Sequence, residues 1–375
     1  MTSSRRDFIK AGAAGAAIVA TGGIAGCTEA EQPERQVAPA DHKPLDILVL
    51  GGTGFIGPHM VREALRRGHS VTLFNRARTN NTLFPDLETI KGDRDNGLDG
   101  LVGRKWDAVV DNSGYVPRHV QDSARLLAPN CDRYLYISTV AVYADFTSAI
   151  DEDSALATID DESIEEVTWE TYGPLKALCE QRAASEVDPD KYTVLRPTYI
   201  CGPGDHTDRF SYWPIRTRKG GEMLWPGTPD DSIQIVDVRD LANFTVDCLE
   251  QDISGVYNMV NPPKSYTMGA LLEDCQSITA ADVDATWVSE EFLTANGLEG
   301  GTRELPIWHG ADRAMDVSTE RALAAGMHHR PERETVRDIL AWWDTLPAER
   351  TATPKAGMSA GQEAELLTAW KERQA

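Results

Sequence analysis

A glycine-rich turn between a strand pattern and a helix pattern constrains the fold of this chain most. It reads Gly-Gly-Thr-Gly-Phe-Ile-Gly over residues 51–57, directly after the apolar run 45–50. Three glycines spaced by three residues let the backbone approach a pyrophosphate, and the helix N-terminus adds free N–H groups and a positive dipole end. A ligand-free tight turn is the alternative, which the flanking strand and helix disfavour. The candidate cofactor-binding residues of the turn are Gly51, Gly54, Phe55, Ile56 and Gly57.

Short apolar runs alternate with helical patterns over the first half of the chain. Strands are predicted at 45–50, 70–74, 108–111, 134–138 and 193–195, with helices at 58–67, 118–127 and 174–186. Such alternation is typical of βαβ units. It predicts an α/β fold, a doubly wound parallel sheet of the Rossmann type with both faces covered.

The sequence changes character after residue 200, where loops rich in Pro, Gly and Trp predict a smaller, partly interleaved substrate domain. Three tryptophans there, Trp213, Trp225 and Trp308, either line a substrate pocket or pack in the core. We assign 44–200 and the returning segment 232–260 to the nucleotide-binding domain, 201–231 and 261–350 to the substrate domain, and 351–375 to a helical tail. The tail is either docked on the body or an interaction element.

A tyrosine and a lysine four residues apart form a second candidate site. Tyr172 and Lys176 are predicted on one face of a helix, with Pro174 in its first turn, where the missing N–H has no partner. This pair alone is not specific. The pair becomes informative because it is the third of three motifs in a fixed order. The first is the glycine-rich turn, and the second is the strand that leads into Ser-Thr-Val-Ala-Val-Tyr at 138–143.

Further ordered segments accompany these motifs. They are Gly-Asp-Arg-Asp at 92–95, Leu-Arg-Pro at 195–197, Gly-Pro-Gly-Asp at 202–205, Asp-Val-Arg-Asp-Leu-Ala at 237–242 and Gly-Val-Tyr-Asn at 255–258. Together the segments resemble the extended short-chain dehydrogenase/reductases, the NAD-dependent epimerase/dehydratase family, over roughly residues 46–260.

The resemblance implies roles for individual residues. Tyr172 would be the general acid/base, and Lys176 would bind the nicotinamide ribose and lower the pKa of Tyr172. Thr139 would hydrogen-bond the substrate oxygen. Asp93 would hold the adenine edge of the cofactor, with Arg94 beside it as a further candidate cofactor ligand.

The implied activity is reversible hydride transfer at a carbinol carbon of a small molecule, a sugar or related polyol, with a tightly held NAD(P). A catalytically silent cofactor-binding protein and an RNA-binding member of the superfamily are the alternatives. The intact Thr139, Tyr172 and Lys176 argue against the first. The net charge of −22 repels phosphate backbones, so it argues against nucleic acid as a partner.

The residues that follow the second strand favour NADP over NAD. Members specific for NAD usually carry an acidic residue here to bind the ribose hydroxyls. This chain has Asn75 and Arg76, with Arg78 two positions on, so a 2′-phosphate could pair with arginine. The alternative is that both arginines are merely exposed to solvent.

Two segments depart from the family pattern. Asp-Asn-Ser-Gly-Tyr at 111–115 replaces the frequent His-Leu-Ala-Ala, and Ala144 replaces a glycine, which indicates an altered nicotinamide-side pocket. Residues 151–170 contain nine acidic side chains and no basic one. This segment is either a solvated surface loop or a lid that disfavours anionic substrates.

The cysteines and histidines suggest no disulfide or metal site. Five cysteines follow residue 27, an odd number without a Cys-x-x-Cys motif, and apolar neighbours predict buried free thiols. The histidines lack metal-ligand spacing, so we expect no metal.

The N-terminus is typical of an export signal. Residues 4–10 read Ser-Arg-Arg-Asp-Phe-Ile-Lys, a twin-arginine motif, and an Ala/Gly-rich stretch leads to Ile-Ala-Gly-Cys at 24–27, which resembles a lipobox. Residues 1–27 are therefore predicted to be a signal, and 28–43 a flexible tether. We expect a periplasmic or cell-surface protein whose contact with the membrane is a lipid on Cys27. A homodimer is left open.

Replacing the predicted lipidation site tests this interpretation. We expect Cys27→Ser to leave the protein exported but soluble, because lipid chains on Cys27 would be its only anchor. Membrane fractionation after a high-salt wash measures this, and a variant that stays with the membrane would contradict the lipoprotein assignment.

Overall fold

A computed structural model describes residues 43–310 and 315–375. The predicted twin-arginine signal, Cys27 and nearly all of the tether lie outside the described residues. Within them, no helix combines the length and apolar character needed to cross a membrane.

The described strands, in chain order, are β1 (Asp46–Leu50), β2 (Ser70–Asn75), β3 (Thr89–Lys91), β4 (Ala108–Asp111), β5 (Arg133–Ile137), β6 (Tyr192–Pro197), β7 (Tyr199–Cys201), β8 (Gly221–Pro226), β9 (Ile235–Asp237), β10 (Gly255–Met259) and β11 (Val283–Val288). The described α-helices are α1 (Ile56–Arg66), α2 (Pro117–Leu127), α3 (Trp169–Ala184), α4 (Tyr212–Thr217), α5 (Val238–Glu250), α6 (Met268–Thr279), α7 (Glu290–Ala295), α8 (Glu320–Ala324), α9 (Glu332–Asp344), α10 (Ala348–Thr351) and α11 (Ala360–Gln374).

Seven parallel strands form the central sheet in the order β3-β2-β1-β4-β5-β6-β10. Side chains of β1 alternate between the two faces: Ile47 and Val49 pack with α1 and α5, whereas Leu48 and Leu50 pack with α2 and α3. Burial on both faces explains why β1 reads as a continuous apolar run. The predicted doubly wound parallel sheet is confirmed.

The strand order reverses between β1 and β4. In open α/β sheets this reversal opens a crevice at the carboxyl ends of the strands, where ligands bind. The glycine-rich turn follows β1, and the Asn-Ser-Gly-Tyr segment follows β4, so both border the crevice.

The second half of the chain has its own aromatic core. The ring centroids of Trp213 and Trp225 lie 4.8 Å apart, and both side chains are fully buried. Trp308 is also buried and donates from Nε1 to Asp231 Oδ2 at 2.6 Å. The three tryptophans therefore belong to the core and do not line a substrate pocket.

The C-terminal helix α11 docks on this second core. Leu366 and Leu367 are buried in it, and the ring of Trp370 meets that of Phe292 at 5.0 Å. Glu363 accepts from Arg216 at 2.7 Å. Of the two interpretations left open for the tail, the structure shows the docked helix.

Helix α3 starts earlier than its sequence pattern indicated. Thr168 and Thr171 form a capping box, so the helix begins at Trp169 and not near Pro174. The placement of Pro174 in the first turn was therefore wrong. Pro174 lies in the second turn, where its ring leaves the carbonyl of Glu170 without the usual helical donor.

The five cysteines of the described residues are buried and unpaired, as predicted. The part of the chain that the structure describes contains no group of three His, Cys, Asp or Glu side chains arranged to hold a metal ion.

Candidate active site

The glycine-rich turn is built for close approach of a ligand. Gly51 and Gly52 have φ of +116° and +91°, which side-chain-bearing residues rarely adopt. A Cβ on Gly57 would lie 2.5 Å from Cα of Gly52, so α1 starts tightly against the turn. Gly54 is exposed and a Cβ there would meet open space. The turn thus offers an uncovered backbone at the N-terminus of α1, which fits a pyrophosphate.

The segment after β4 adds a buried acceptor to the crevice. The Oδ1 atom of Asn112 is buried without a hydrogen-bond partner among the described residues, and the Nδ2 atom lies 3.7 Å from the Cβ position of Gly51. A buried acceptor without a partner is costly. A ligand hydroxyl would satisfy it, so this residue also fits a dinucleotide. Asn112 was absent from the predicted site, although its departure from the family pattern was a signal.

The predicted cofactor residues after β2 and β3 lie at the same edge of the sheet. Asn75 donates from Nδ2 to the carbonyl of Gly51 at 3.3 Å, which ties β2 to the turn. Arg76 and Arg78 are exposed and form no ion pair with a described residue. Asp93 follows β3, is half-buried and accepts from the backbone N–H of Asp95 at 3.2 Å.

Arg94, a predicted cofactor ligand, is part of a buried polar network. Its buried guanidinium forms an ion pair with Asp111, with Nη2 donating to Oδ2 at 2.6 Å. Nη2 also donates to Ser123 Oγ at 2.6 Å, and Tyr134 donates to Asp111 at 3.0 Å. This network lies under the crevice and supports the segment after β4.

Thr139, Tyr172 and Lys176 come together at the carboxyl end of β5. Thr139 caps the 3-10 turn Val140–Val142, where its side chain accepts from the N–H of Ala141 at 3.2 Å. Thr139 lies close enough to Tyr172 for its side chain to act on the pKa of the phenol. One helical turn further along α3, the buried Lys176 donates from Nζ to the carbonyls of Gly114 at 2.8 Å and Ile137 at 2.7 Å. An ammonium has a third donor, which leaves one for a ribose hydroxyl.

The electrostatics of the pair differ from the expectation. Burial raises the pKa of Tyr172 above its ordinary value, and the neighbouring Tyr115 adds to this, while Thr139 and Arg209 act in the opposite direction. Burial lowers the pKa of Lys176 to about 8. The pKa of Tyr172 is therefore raised overall, where the resemblance implied that Lys176 lowers it.

A glycine next to the tyrosine sets the distance between α3 and the Thr139 turn. A Cβ on Gly173 would lie 2.2 Å from the carbonyl oxygen of Ala141, closer than any real contact. Only a residue without a side chain allows Tyr172 to reach Thr139 here. Sequence reasoning missed Gly173, although its position between Tyr172 and Pro174 in a helix was unusual.

A buried ion pair holds the elements of the site together. Arg196 of β6 donates to both carboxylate oxygens of Glu180 on α3, at 3.0 and 2.6 Å. Glu180 also accepts from Ser138 at 2.5 Å, and Arg196 donates to Tyr143 Oη at 2.9 Å. Tyr143 in turn donates to Asn258 of β10 at 2.6 Å. Residues on both sides of Thr139 are thereby fixed to α3 and to the sheet.

The fold and the site define a dinucleotide-binding α/β protein of the short-chain dehydrogenase/reductase type. The chain belongs to the NAD dependent epimerase/dehydratase family, whose model matches residues 47–260. This membership supports NAD(P) binding and places the protein in the oxidoreductase and epimerase class.

Similar proteins cover most of the chain. Chloroplast stem-loop binding protein of 41 kDa b from Arabidopsis thaliana is 26% identical over 332 residues, which is 83% of this chain and 78% of that protein. The Bordetella bronchiseptica enzyme WbmG, solved with NAD, has a TM-score of 0.61 at 17% identity, covering 86% of this chain and 100% of that one. Human epimerase family protein SDR39U1, solved with NADPH, has a TM-score of 0.57 at 21% identity, covering 80% and 100%.

The contact at Gly173 can be tested by adding a methyl group. We expect Gly173→Ala to lower the free energy of unfolding by about 1–3 kcal/mol, because overpacking forces α3 away from the Thr139 turn. Gly361→Ala on α11 is the control: a Cβ there meets nothing within 4 Å, so it should be neutral or stabilising. Denaturant unfolding measures both variants, and equal stabilities would contradict the packing argument.

The depressed pKa of Lys176 predicts a pH dependence of stability. Between pH 8 and the ordinary lysine value of 10.5, the unfolded chain keeps a proton that the folded chain has released. Stability then rises with pH. Relative to Lys176→Met, we expect the wild type to gain about 3 kcal/mol across this window. A difference in unfolding free energy that stays constant between pH 7 and 10.5 would show that the Lys176 pKa is unshifted.

Proposed function

We propose that this protein catalyses NAD(P)-dependent reversible hydride transfer at a carbinol carbon of a sugar or related polyol, with the cofactor tightly held through the cycle. The convergence of three side chains carries the proposal: Thr139 caps the turn against which Gly173 packs, Tyr172 precedes that glycine, and the buried Lys176 lies one helical turn away. These groups lie at the end of the same crevice as the open glycine-rich turn, so a substrate oxygen and a bound dinucleotide can meet there.

The side chains divide the reaction between them. A bound NAD(P)+ supplies the hydride acceptor. In the direction of reduction the neutral phenol of Tyr172, the form that burial favours, would give its proton to the substrate carbonyl oxygen as the hydride arrives at the same carbon. In the direction of oxidation the resulting phenolate would take that proton back. Thr139 donates a hydrogen bond to the substrate oxygen and holds it beside Tyr172. Lys176 positions the ribose with its remaining N–H donor.

A protein that returns the hydride within one cycle needs no external supply of cofactor. Together with the twin-arginine motif and the lipobox, this supports our proposal that the protein is exported after folding around its cofactor and anchored through a lipid on Cys27. A homodimer stays an open alternative.

RNA binding is the second candidate function, because the Arabidopsis relative is named a stem-loop binding protein. The charge of this chain disfavours RNA binding, because its 59 acidic residues outnumber its 37 basic residues and the net negative charge repels a phosphate backbone. The Thr139–Tyr172 contact also has no use in RNA binding. We therefore favour redox chemistry.

NADP is the cofactor we propose. Arg76 and Arg78 are exposed at the end of β2, are not consumed by ion pairs with described residues, and stand next to Asn75, which is tied to the glycine-rich turn. A guanidinium–phosphate contact contributes roughly 1.5–3 kcal/mol. Asn75 brings no carboxylate to repel a 2′-phosphate.

The catalytic assignment is tested at the tyrosine. We expect Tyr172→Phe to keep the fold and the cofactor but to slow hydride transfer by about 10²- to 10⁴-fold, because the proton acceptor is lost. Absorbance of the reduced cofactor measures the transfer when candidate sugars are added. Tyr257→Phe, whose hydroxyl donates to the carbonyl of Ser254 outside the site, is the control. Equal rates for wild type and Tyr172→Phe on a true substrate would overturn the assignment.

Cofactor preference is tested by exchanging the charge after β2. We expect Asn75→Asp combined with Arg76→Ala to shift binding from NADP toward NAD by about ten- to a hundredfold. Titration of both cofactors into stripped protein measures this ratio, and Arg125→Ala on α2 is a surface control. A wild type that prefers NAD, or an unchanged ratio in the double variant, would exclude Arg76 as the phosphate ligand.

A further inference from the structure

A cavity of about 740 Å³ lies between the second core and the C-terminal segment. Its walls include α4, the start of β8 and parts of the segment 352–371. None of the residues that line it belongs to the glycine-rich turn or to the group of Thr139, Tyr172 and Lys176. Ligand pockets measure roughly 300–1,000 Å³, whereas protein interiors leave few unfilled spaces larger than a water molecule. The cavity therefore has the size of a ligand site.

The segment that closes one side of the cavity is fixed to the body of the protein. The fully buried Asp208 forms an ion pair with Arg350 of α10. The N–H of Gly357 donates to the carbonyl of Arg303 at 2.7 Å. A Cβ on Gly357 would lie 1.9 Å from the ring of Tyr212, so the chain passes directly over that ring. The cavity is thus built into the fold and does not come from a loosely packed tail.

Much of the inner surface of the cavity is apolar. Tyr212 and Ile215 of α4, Ala356, and Leu367 of α11 line it and are buried. Apolar and aromatic linings of this kind bind the apolar body of a ligand, because its surface is removed from water.

Three carboxylates also line the cavity, and each of their oxygens accepts a hydrogen bond. The pairs are Asp208 with Arg350 and with the N–H of Lys355 at 2.8 Å, Glu222 with Lys371 at 2.7 Å and with Thr286 at 2.9 Å, and Glu363 with Arg216 at 2.7 Å and with the N–H of Leu224 at 3.1 Å. These acids are therefore neutralised or satisfied within the protein and do not favour a cationic ligand.

Two cations of the lining, Lys219 and Arg303, pair with no carboxylate among the described residues. Both are exposed, which places them on the solvent side of the cavity. The lining contains four basic side chains against three acidic ones, although the whole chain has 37 basic and 59 acidic residues. A local excess of positive charge in an acidic protein favours an anion.

We propose that this cavity is a binding site for a small organic anion. Its apolar or aromatic body packs against Tyr212 and Leu367, and its carboxylate or sulfonate group is bound by Lys219 and Arg303. The site goes beyond the proposed hydride transfer and does not depend on it, because no lining residue belongs to the candidate active site.

The test uses two dyes that differ by one charged group. The anionic dye anilinonaphthalene sulfonate and its uncharged analogue phenylnaphthylamine are titrated into the full protein at physiological ionic strength, with fluorescence as the readout. We expect Lys219→Met combined with Arg303→Met to weaken binding of the sulfonate about tenfold and to change binding of the uncharged dye by less than about twofold. Ala364→Trp, at an exposed position of the lining, should fill the cavity and weaken both dyes by about tenfold or more.

Two control variants change neighbouring residues that do not line the cavity. Arg218→Met removes a cation next to Lys219 that is already paired with Asp344 at 2.7 Å, and Glu365→Trp adds the same ring one position beyond Ala364. Both controls should keep both affinities within about twofold of the wild type, since exposed charges are screened at this ionic strength. The melting temperature of each variant checks that the fold is kept.

Three results would overturn the inference. The first is a wild type that shows no saturable binding of the sulfonate, and the second is a double methionine variant in which the sulfonate affinity is unchanged or falls no more than that of the uncharged dye. The third is displacement of the sulfonate by NADP+ together with unchanged binding in Ala364→Trp, which would place the dye in the crevice.

Discussion

The buried ion pair between Arg196 and Glu180 is the interaction on which the candidate site depends. It links β6 to α3 at the level of the sheet edge, and both partners are nearly inaccessible to solvent. Breaking one side of such a pair leaves an uncompensated charge in the interior, which costs about 3–5 kcal/mol. Glu180 also accepts from Ser138, and Arg196 also donates to Tyr143. These two residues flank Thr139. The ion pair therefore holds the Thr139 turn and the Tyr172 helix in one position relative to each other.

This arrangement keeps the reacting side chains on rigid elements. Tyr172 and Lys176 lie on α3, Thr139 caps a short turn, and Gly173 allows the helix to touch that turn. The predicted cofactor side is also ordered by the fold. Gly51 and Gly52 adopt positive φ angles in the glycine-rich turn, and the ion pair between Arg94 and Asp111 stabilises the segment after β4. The fold itself therefore holds these side chains in place, which is the condition for precise positioning.

Sequence alone predicted the doubly wound sheet and the residues of the central motifs, because strand periodicity and glycine spacing are local signals. It misplaced Pro174, because the start of α3 is set by the Thr168 capping box and not by apolar periodicity. It did not reveal the ion pair of Arg94, because the partner Asp111 is 17 positions away and no local pattern indicates the pair. Gly173 and Asn112 acquire meaning only from neighbours brought close by the fold, such as Ala141 and Gly51.

Burial shifts the pKa values of both Tyr172 and Lys176. Burial favours the neutral phenol of Tyr172 and lowers the pKa of Lys176 to about 8. Native mass spectrometry of the protein purified without added nucleotide tests the central claim most directly. Our account predicts a population that carries one bound NAD(P), released on denaturation. A protein that is free of nucleotide and still takes up neither NADP+ nor NAD+ on titration would contradict it.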